Sequence, residues 1–321
     1  MTDFTGYWIF FCNPKKWNID VFLESGKVYD NFTVRDWHKD QFKKGQLGLV
    51  RVGHDHRTKD QLNGRDKLER GIYAVVEVLG EAELKEEPAP DYWNDNDLGG
   101  KKYRVDIKYI KNLLGKPVLL EDLINENFDY DKHLIDGFQS STMPLDPKSF
   151  RKIIGKIGDL EFDLKSKNIE SEKDIIELEK EHSQAVPEVK RRLSKYIERG
   201  TIANKFKRKT DYKCQICDEL GNDPHVFKKE NGEYYIETHH IDAVSNLNKG
   251  SLGISNLITV CPNHHRQLHY GKVDILENSK EKLKLRIDGK TLMIKRLNKL
   301  NYSKDDYKWL LFLIKSIKIE K

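Results

Sequence analysis

Residues 260–269 read VCPNHHRQLH, and ten positions hold one cysteine and three histidines: Cys261, His264, His265 and His269. A helical core has little use for so many imidazoles, whereas a metal site is built from them. Upstream, Cys214-x-x-Cys217 in YKCQICDEL supplies a second chelating pair for Cys261-x-x-His264. Two pairs, each spaced by two residues, make a tetrahedral Cys3His site of the kind that holds structural zinc. The second pair stands just before a helix, so its ligands converge from a turn.

His265 and His269 lie four apart and share one face of a helix, so they can chelate a second metal. In YYIETHHIDAV (234–244), His239 and His240 end an apolar strand. Adjacent strand residues point to opposite faces, so one can bind metal while the other faces a substrate. Between these elements lies NKGSLGISNLITV (248–260), with Asn256 just before an apolar run.

His240, Asn256 and the final His269, in the order THHI, SNLITVCPNHH and HRQLH, resemble the HNH endonucleases. The resemblance covers about residues 205–275 and implies a ββα-metal fold. It has one departure: His264 stands where the commonest form of the family has a fourth cysteine. By this resemblance His240 is the general base that deprotonates the attacking water, and Asn256 orients it. His239, His265 and His269 are the ligands of a catalytic divalent ion. Magnesium or manganese is expected there, and an imidazole-rich site also accepts nickel or zinc. The alternative for the same histidines is a zinc-binding DNA module without catalysis.

The 321 residues imply two domains; they are 37% apolar and 34% charged, with net charge +5 and pI about 8.7. No run approaches the roughly 18 apolar residues of a membrane helix. The N-terminus starts acidic and runs into a folded pattern, unlike a signal peptide. Four cysteines, two of them in a C-x-x-C pair, then argue for metal rather than disulfides, and for a reducing, cytoplasmic setting.

Strands are expected at 7–11 (YWIFF), 46–53 (QLGLVRVG), 71–84 (GIYAVVEVLGEAEL) and 103–110 (YRVDIKYI), with a helix at 117–126 opened by Pro117. Helices follow at 171–185, capped by Ser171, and from Pro187 to about Arg199. Residues 282–297 read as a hairpin turning at Asp288-Gly289, and 303–318 as an amphipathic helix. Residues 187–213 carry ten basic and three acidic residues, a local excess above that of the whole chain. This is either a solvated helix face or a phosphate-facing patch. Lys205, Lys207, Arg208, Lys209 and, beside the histidines, Arg266 are the candidates for DNA backbone contacts.

The first half opens with GYWIFFCNPKKWNID (6–20) and continues with YDNFTVRDWHKDQFKKGQLGLVRVG (29–53), GIYAVVEV, YRVDIKYI and GFQSSTMPLDPKSFRKI (137–153). This order resembles the EVE domains of the PUA-like superfamily over about residues 1–155. The resemblance implies a pocket for a flipped, modified base. Trp37 and Trp17 are its candidate walls, with Asn13, Trp93 and Tyr92 beside them, while Trp8 on the first strand is core. The polar loop at 54–71 reads as a clamp on the duplex, as a stand-in for the extruded base, or as a mobile surface loop. Cys12 is assigned no chemistry.

The expected architecture is therefore α+β. An EVE barrel (1–155) is joined by a helical connector (156–204) to a zinc-stabilised nuclease (205–275), followed by a hairpin and helix (276–321). The combination resembles the modification-dependent restriction endonucleases. It implies cleavage of double-stranded DNA near 5-hydroxymethylcytosine or 5-methylcytosine, a role in antiphage defence and no membrane partner. One active site per chain and two strands to cut imply a homodimer. Two rival readings are an HNH endonuclease indifferent to modification and a non-catalytic, zinc-stabilised reader.

Overall fold

The computed structural model describes residues 5–86, 90–94, 100–158, 160, 169–242, 252–279 and 281–297. The fold is α+β and divides into two compact units, Met1–Ser166 with Glu181–Lys190, and Lys167–Lys180 with Arg191–Lys321. Among the described residues no helix is long and apolar enough to cross a membrane.

The first unit is a curled sheet of eight strands: β1 (Tyr7–Cys12), β2 (Tyr29–Thr33), β3 (Leu47–Val52), β4 (Gly71–Val78), β5 (Glu83–Lys85), β6 (Lys102–Asn112), β7 (Val118–Leu119) and β8 (Thr142–Pro144). The main path runs β2-β6-β4-β3-β1-β8, with β5 on β6 and β7 on β4. All its pairings are antiparallel except β1 with β3. Short helices fill the connections: α1 (Ile19–Glu24), α2 (Lys59–Leu62), α3 (Leu120–Ile124), α4 (Lys132–Asp136) and α5 (Pro147–Ile157).

Every residue of β3 and β4 is buried, which is why both read as continuous branched apolar runs. Gly48, opposite Trp8, is small for a reason: a Cβ there would lie 2.3 Å from the Phe10 ring. Trp8 is core, as expected. Its ring stacks on Phe42 at 3.9 Å, and its indole N–H donates to Gln46 Oε1 at 2.7 Å. Two local expectations change. The 71–84 run divides into β4 and β5. Pro117 precedes a bridge strand, β7, and the helix begins only at Leu120. Pairing of Val118 with Ile72 takes the first residues into the sheet.

The loop at 54–71 is anchored at its base. Its residues alternate: His54 and His56 are exposed, Asp55 and Arg57 buried. The Arg57 guanidinium meets Asp55 at 2.7 Å and Asp20 at 2.8 Å. Thr58 and Gln61 close a capping box on α2. Burial by itself would raise the Asp55 carboxyl, but Arg57 and the Leu68 N–H outweigh it and hold it below its ordinary range. Arg57→Ala strands two buried carboxylates and should lower stability by about 3–5 kcal/mol. Thermal unfolding of the full chain at pH 7 checks this, and an unchanged midpoint refutes it.

The second unit contains α6 (Glu172–Glu181, but for its last residue), most of α7 (Pro187–Arg199), α8 (Thr201–Lys209) and α9 (Gln215–Glu219). An antiparallel pair follows, β9 (Glu237–His240) with β10 (Leu257–Val260), and then α10 (Pro262–Tyr270). Ser171 caps α6 as expected, its Oγ accepting the Asp174 N–H, but the helix stops at Glu181.

Strands β11 (Val273–Asn278), β12 (Lys282–Ile287) and β13 (Lys290–Lys295) form a three-stranded sheet. The expected hairpin turn has Asp288 at φ 49° and Gly289 at φ 76°, the left-handed pair a two-residue turn needs. Leu283, Leu285, Ile287 and Ile294 pack in one core with Cys214, Ile258 and Cys261. The hairpin is thus part of the core that carries the cysteine pairs. The helix expected at 303–318 lies outside the described residues.

Candidate functional site

All four cysteines are free thiols. Cys214, Cys217, Cys261 and His264 converge in one cluster. Each leading cysteine caps a short helix. Cys214 Sγ accepts the Cys217 N–H on α9, and Cys261 Sγ accepts the His264 N–H on α10, both at 3.4 Å. The capping geometry makes the two-residue spacing deliver both ligands of a pair to one point. His264 Nδ1 lies 3.3, 3.4 and 3.3 Å from the sulfurs of Cys214, Cys217 and Cys261. A tetrahedral zinc with ordinary bond lengths sets its N and S ligands about 3.5 Å apart, so the donor set fits that ion. Burial and then the neighbouring thiol of Cys214 push the Cys217 thiol up. Burial pushes His264 down, towards the neutral form that ligates.

His239, His265 and His269 form a second cluster, their ligand atoms within 4.8 Å of one another. The rings stand nearly edge to face, with centroids 4.7–5.0 Å apart. His239 Nδ1 and His265 Nε2 are buried without a hydrogen-bond partner. Buried ring nitrogens are seldom left so, and a cation is the partner that suits them. Burial above all pushes the His239 imidazole down to about 3, and it also lowers His269. Both are thereby held neutral, as metal ligands must be. His265 Nδ1 pairs with Glu237 on β9, which leaves its Nε2 for the metal. No local sequence pattern singles out Glu237.

His240 faces the other side of β9, as strand alternation requires. Its Nδ1 lies 2.8 Å from Glu198 Oε1 and 2.9 Å from Ser194 Oγ, both on α7, and its Nε2 lies 3.4 Å from the Leu252 carbonyl. Burial by itself would raise Glu198, but His240 outweighs it and holds the carboxyl below its ordinary range. Asn256 Oδ1 accepts the Asp242 N–H at 2.9 Å, and its Nδ2 donates to the Asp242 carbonyl at 3.2 Å. It therefore fixes the backbone two residues beyond His240. Neither Glu198 nor Ser194 was found from sequence; both lie in a charged helical stretch more than forty residues away.

The basic candidates, four on α8 and one on α10, differ in exposure. Lys205 donates to the Glu170 carbonyl at 2.7 Å. Lys207 and Lys209 are half-buried, and burial lowers Lys207. Arg208 and Arg266 are exposed.

In the first unit a cavity of about 1070 Å³ opens between β1, β2 and the segment before β8. Asn13, Trp17 and Trp93 line it, with Phe11, Asp30 and Arg51. The Trp93 indole N–H is buried without a partner. Lys16, Arg35, His54 and His56 also line it, and all four are exposed. Trp37 does not: it is 61% exposed and absent from the lining. In its segment the inward places go to Val34 and to His38, whose ring meets Trp8 edge-on at 5.5 Å. Tryptophan 93, given a lesser place from sequence, takes the wall instead. An antiparallel bridge to Trp17 brings it there.

The EVE domain family model matches residues 6–156, and the HNH endonuclease model matches residues 214–271. No curated protein sequence matches the chain. Among solved structures, a protein of Agrobacterium tumefaciens is 16% identical, covering 47% of this chain and 92% of its own, with a TM-score of 0.32. One of Rhodopseudomonas palustris is 21% identical over 48% and 97%, with a TM-score of 0.32. Human THYN1 protein, solved in complex with 5-methylcytosine containing DNA, is 14% identical over 48% and 99%, with a TM-score of 0.31. The chain thus joins an EVE domain of PUA-like fold to a C-terminal HNH endonuclease domain, and the second makes it a metal-dependent DNA nuclease.

Proposed function

We propose that this nuclease cuts double-stranded DNA near modified cytosine, 5-hydroxymethylcytosine or 5-methylcytosine, in defence against phage with modified genomes. The cavity of the EVE domain carries this reading. Its volume lies just above the roughly 300–1,000 Å³ of ligand sites, and a buried indole N–H, that of Trp93, lacks a partner there. A flipped base stacks on the aromatic wall that Trp17 and Trp93 form, and Asp30 accepts from its exocyclic amine. The exposed cations at the cavity suit the flanking phosphates.

In the HNH domain, Cys214, Cys217, Cys261 and His264 hold a structural zinc. His239, His265 and His269 hold Mg²⁺ or Mn²⁺, which when bound supplies positive charge for the phosphate and the departing 3′ oxygen. His240 takes a proton from water, the water oxygen adds to phosphorus, and the P–O3′ bond breaks. Asn256 keeps the backbone beside the base in place. Lys205, Lys207, Arg208, Lys209 and Arg266 contact the DNA backbone. Two copies of the chain act together, one on each strand.

Matched duplexes with cytosine, 5-methylcytosine or 5-hydroxymethylcytosine, incubated in Mg²⁺ or Mn²⁺, test the reading. Cleavage of modified DNA alone supports it. Equal cleavage of all three leaves an HNH endonuclease indifferent to modification. Binding without cleavage leaves a reader. Trp93→Ala removes a stacking wall worth about 1–3 kcal/mol, so cleavage of modified DNA should fall roughly 5- to 150-fold. Cleavage at the unaltered rate would remove Trp93 from the pocket.

A further inference from the structure

Helix α7 reaches His240 from outside the stretch 214–271 matched to the HNH endonuclease family. Glu198 Oε1 lies 2.8 Å from His240 Nδ1 and accepts the His240 backbone N–H at 3.1 Å. Ser194 Oγ stands 2.9 Å from the same Nδ1 and donates to Glu198 Oε1 at 3.2 Å. Thr238, two residues before His240 and on the same strand face, donates its hydroxyl to the Glu198 backbone carbonyl at 2.7 Å. One residue therefore holds both the strand and the ring. The side chains are 2% and 17% exposed, so water competes weakly for the bond.

An ionised carboxylate only accepts. The proton of the pair therefore sits on Nδ1, and the free lone pair of a neutral ring falls on Nε2. We infer that Glu198 is a positioning residue of the cleavage reaction. Its carboxylate fixes His240 in the Nδ1–H tautomer and stabilises the ring once it is protonated; Nε2 lies 3.4 Å from the Leu252 carbonyl, too long for a firm hydrogen bond, which leaves its lone pair for the water. The inference rests on His240 being the general base. In the step, water gives one proton to Nε2, and its oxygen forms the new bond to phosphorus. The P–O3′ bond breaks with its electron pair going to O3′. Glu198 stays ionised throughout, as the carboxylate of a Ser-His-Asp triad does. Its charge acts through the ring, which sets this apart from a helix that merely packs on β9.

Glu198→Gln separates the two roles. It keeps the size, the backbone carbonyl and a side-chain acceptor, and removes the charge. The full chain is compared as wild type, Glu198→Gln, Glu198→Asp and His240→Ala on the three DNAs in Mn²⁺. Glu198→Gln should lower kcat about 100-fold or more, as expected for loss of an oriented base. KM for DNA, zinc content and unfolding midpoint should stay at wild-type values, and Glu198→Asp should recover part of the rate. Wild-type kcat in Glu198→Gln, or a loss that tracks zinc and folding, overturns the inference and leaves His240 as the base. Wild-type cutting by His240→Ala overturns the base assignment itself, and Glu198 with it. Independently of cleavage, ¹⁵N-histidine NMR of the wild type should show His240 as the Nδ1–H tautomer, and Glu198→Gln, whose amide can donate to Nδ1 as well as accept from it, should weaken that preference. A proton on Nε2 in the wild type overturns the inference.

Discussion

His240→Ala should slow cleavage about 100- to 10,000-fold, the contribution of a positioned general base. The substitution removes the imidazole and leaves His239, on the other face of β9, and His265 and His269, on α10, in place. Burial, more than any neighbouring charge, pushes His239 towards the neutral form. The expected result is therefore a specific one: DNA binding, zinc content and metal uptake persist, while single-turnover cleavage falls. Because His240 is buried, the substitution also opens a small void and should cost some stability. Rates are therefore read well below the unfolding midpoint, with folded fraction checked by circular dichroism. Cleavage at the wild-type rate under those conditions would assign proton transfer to another group.

Cys214→Ala should have the largest effect on stability. Cys214 is fully buried, and its cluster joins α9, β10 and α10 to the β12–β13 hairpin in one apolar core. That core is small, and structural zinc contributes about 10–16 kcal/mol in zinc-finger peptides. Losing one of four ligands should remove the zinc and unfold this unit. The β-sheet of the EVE domain has its own core and should remain. Elemental analysis and differential scanning calorimetry would show the loss of one zinc and of one unfolding transition. Acid should act on the same site. Without metal the Cys214 and Cys217 thiols are pushed up, so protons compete strongly for the sulfurs, and zinc should dissociate as pH falls. An intact second transition in Cys214→Ala would show that the hairpin core stands without metal.

What could be read from the chain alone was what short-range geometry dictates. A cysteine and the ligand three positions on meet because the first caps the helix that carries the second. His265 and His269 share a helix face because 3.6 residues make a turn. His239 and His240 part to opposite sides because strands alternate. The turn at Asp288-Gly289 and the helix starting at Pro187 follow from backbone preference in the same way. Tertiary structure decided the rest. No local pattern distinguishes Glu198 from the other charges of α7, yet it meets His240 across 42 residues of sequence. The burial of Arg57 between Asp55 and Asp20 looked like a polar loop. The exchange of Trp37 for Trp93 at the cavity depended on which side chain had a place in the core. Periodicity reports whether a residue faces inward or outward on its own element. Its partner is fixed only when elements distant in sequence pack, because burial makes each polar group find a specific neighbour.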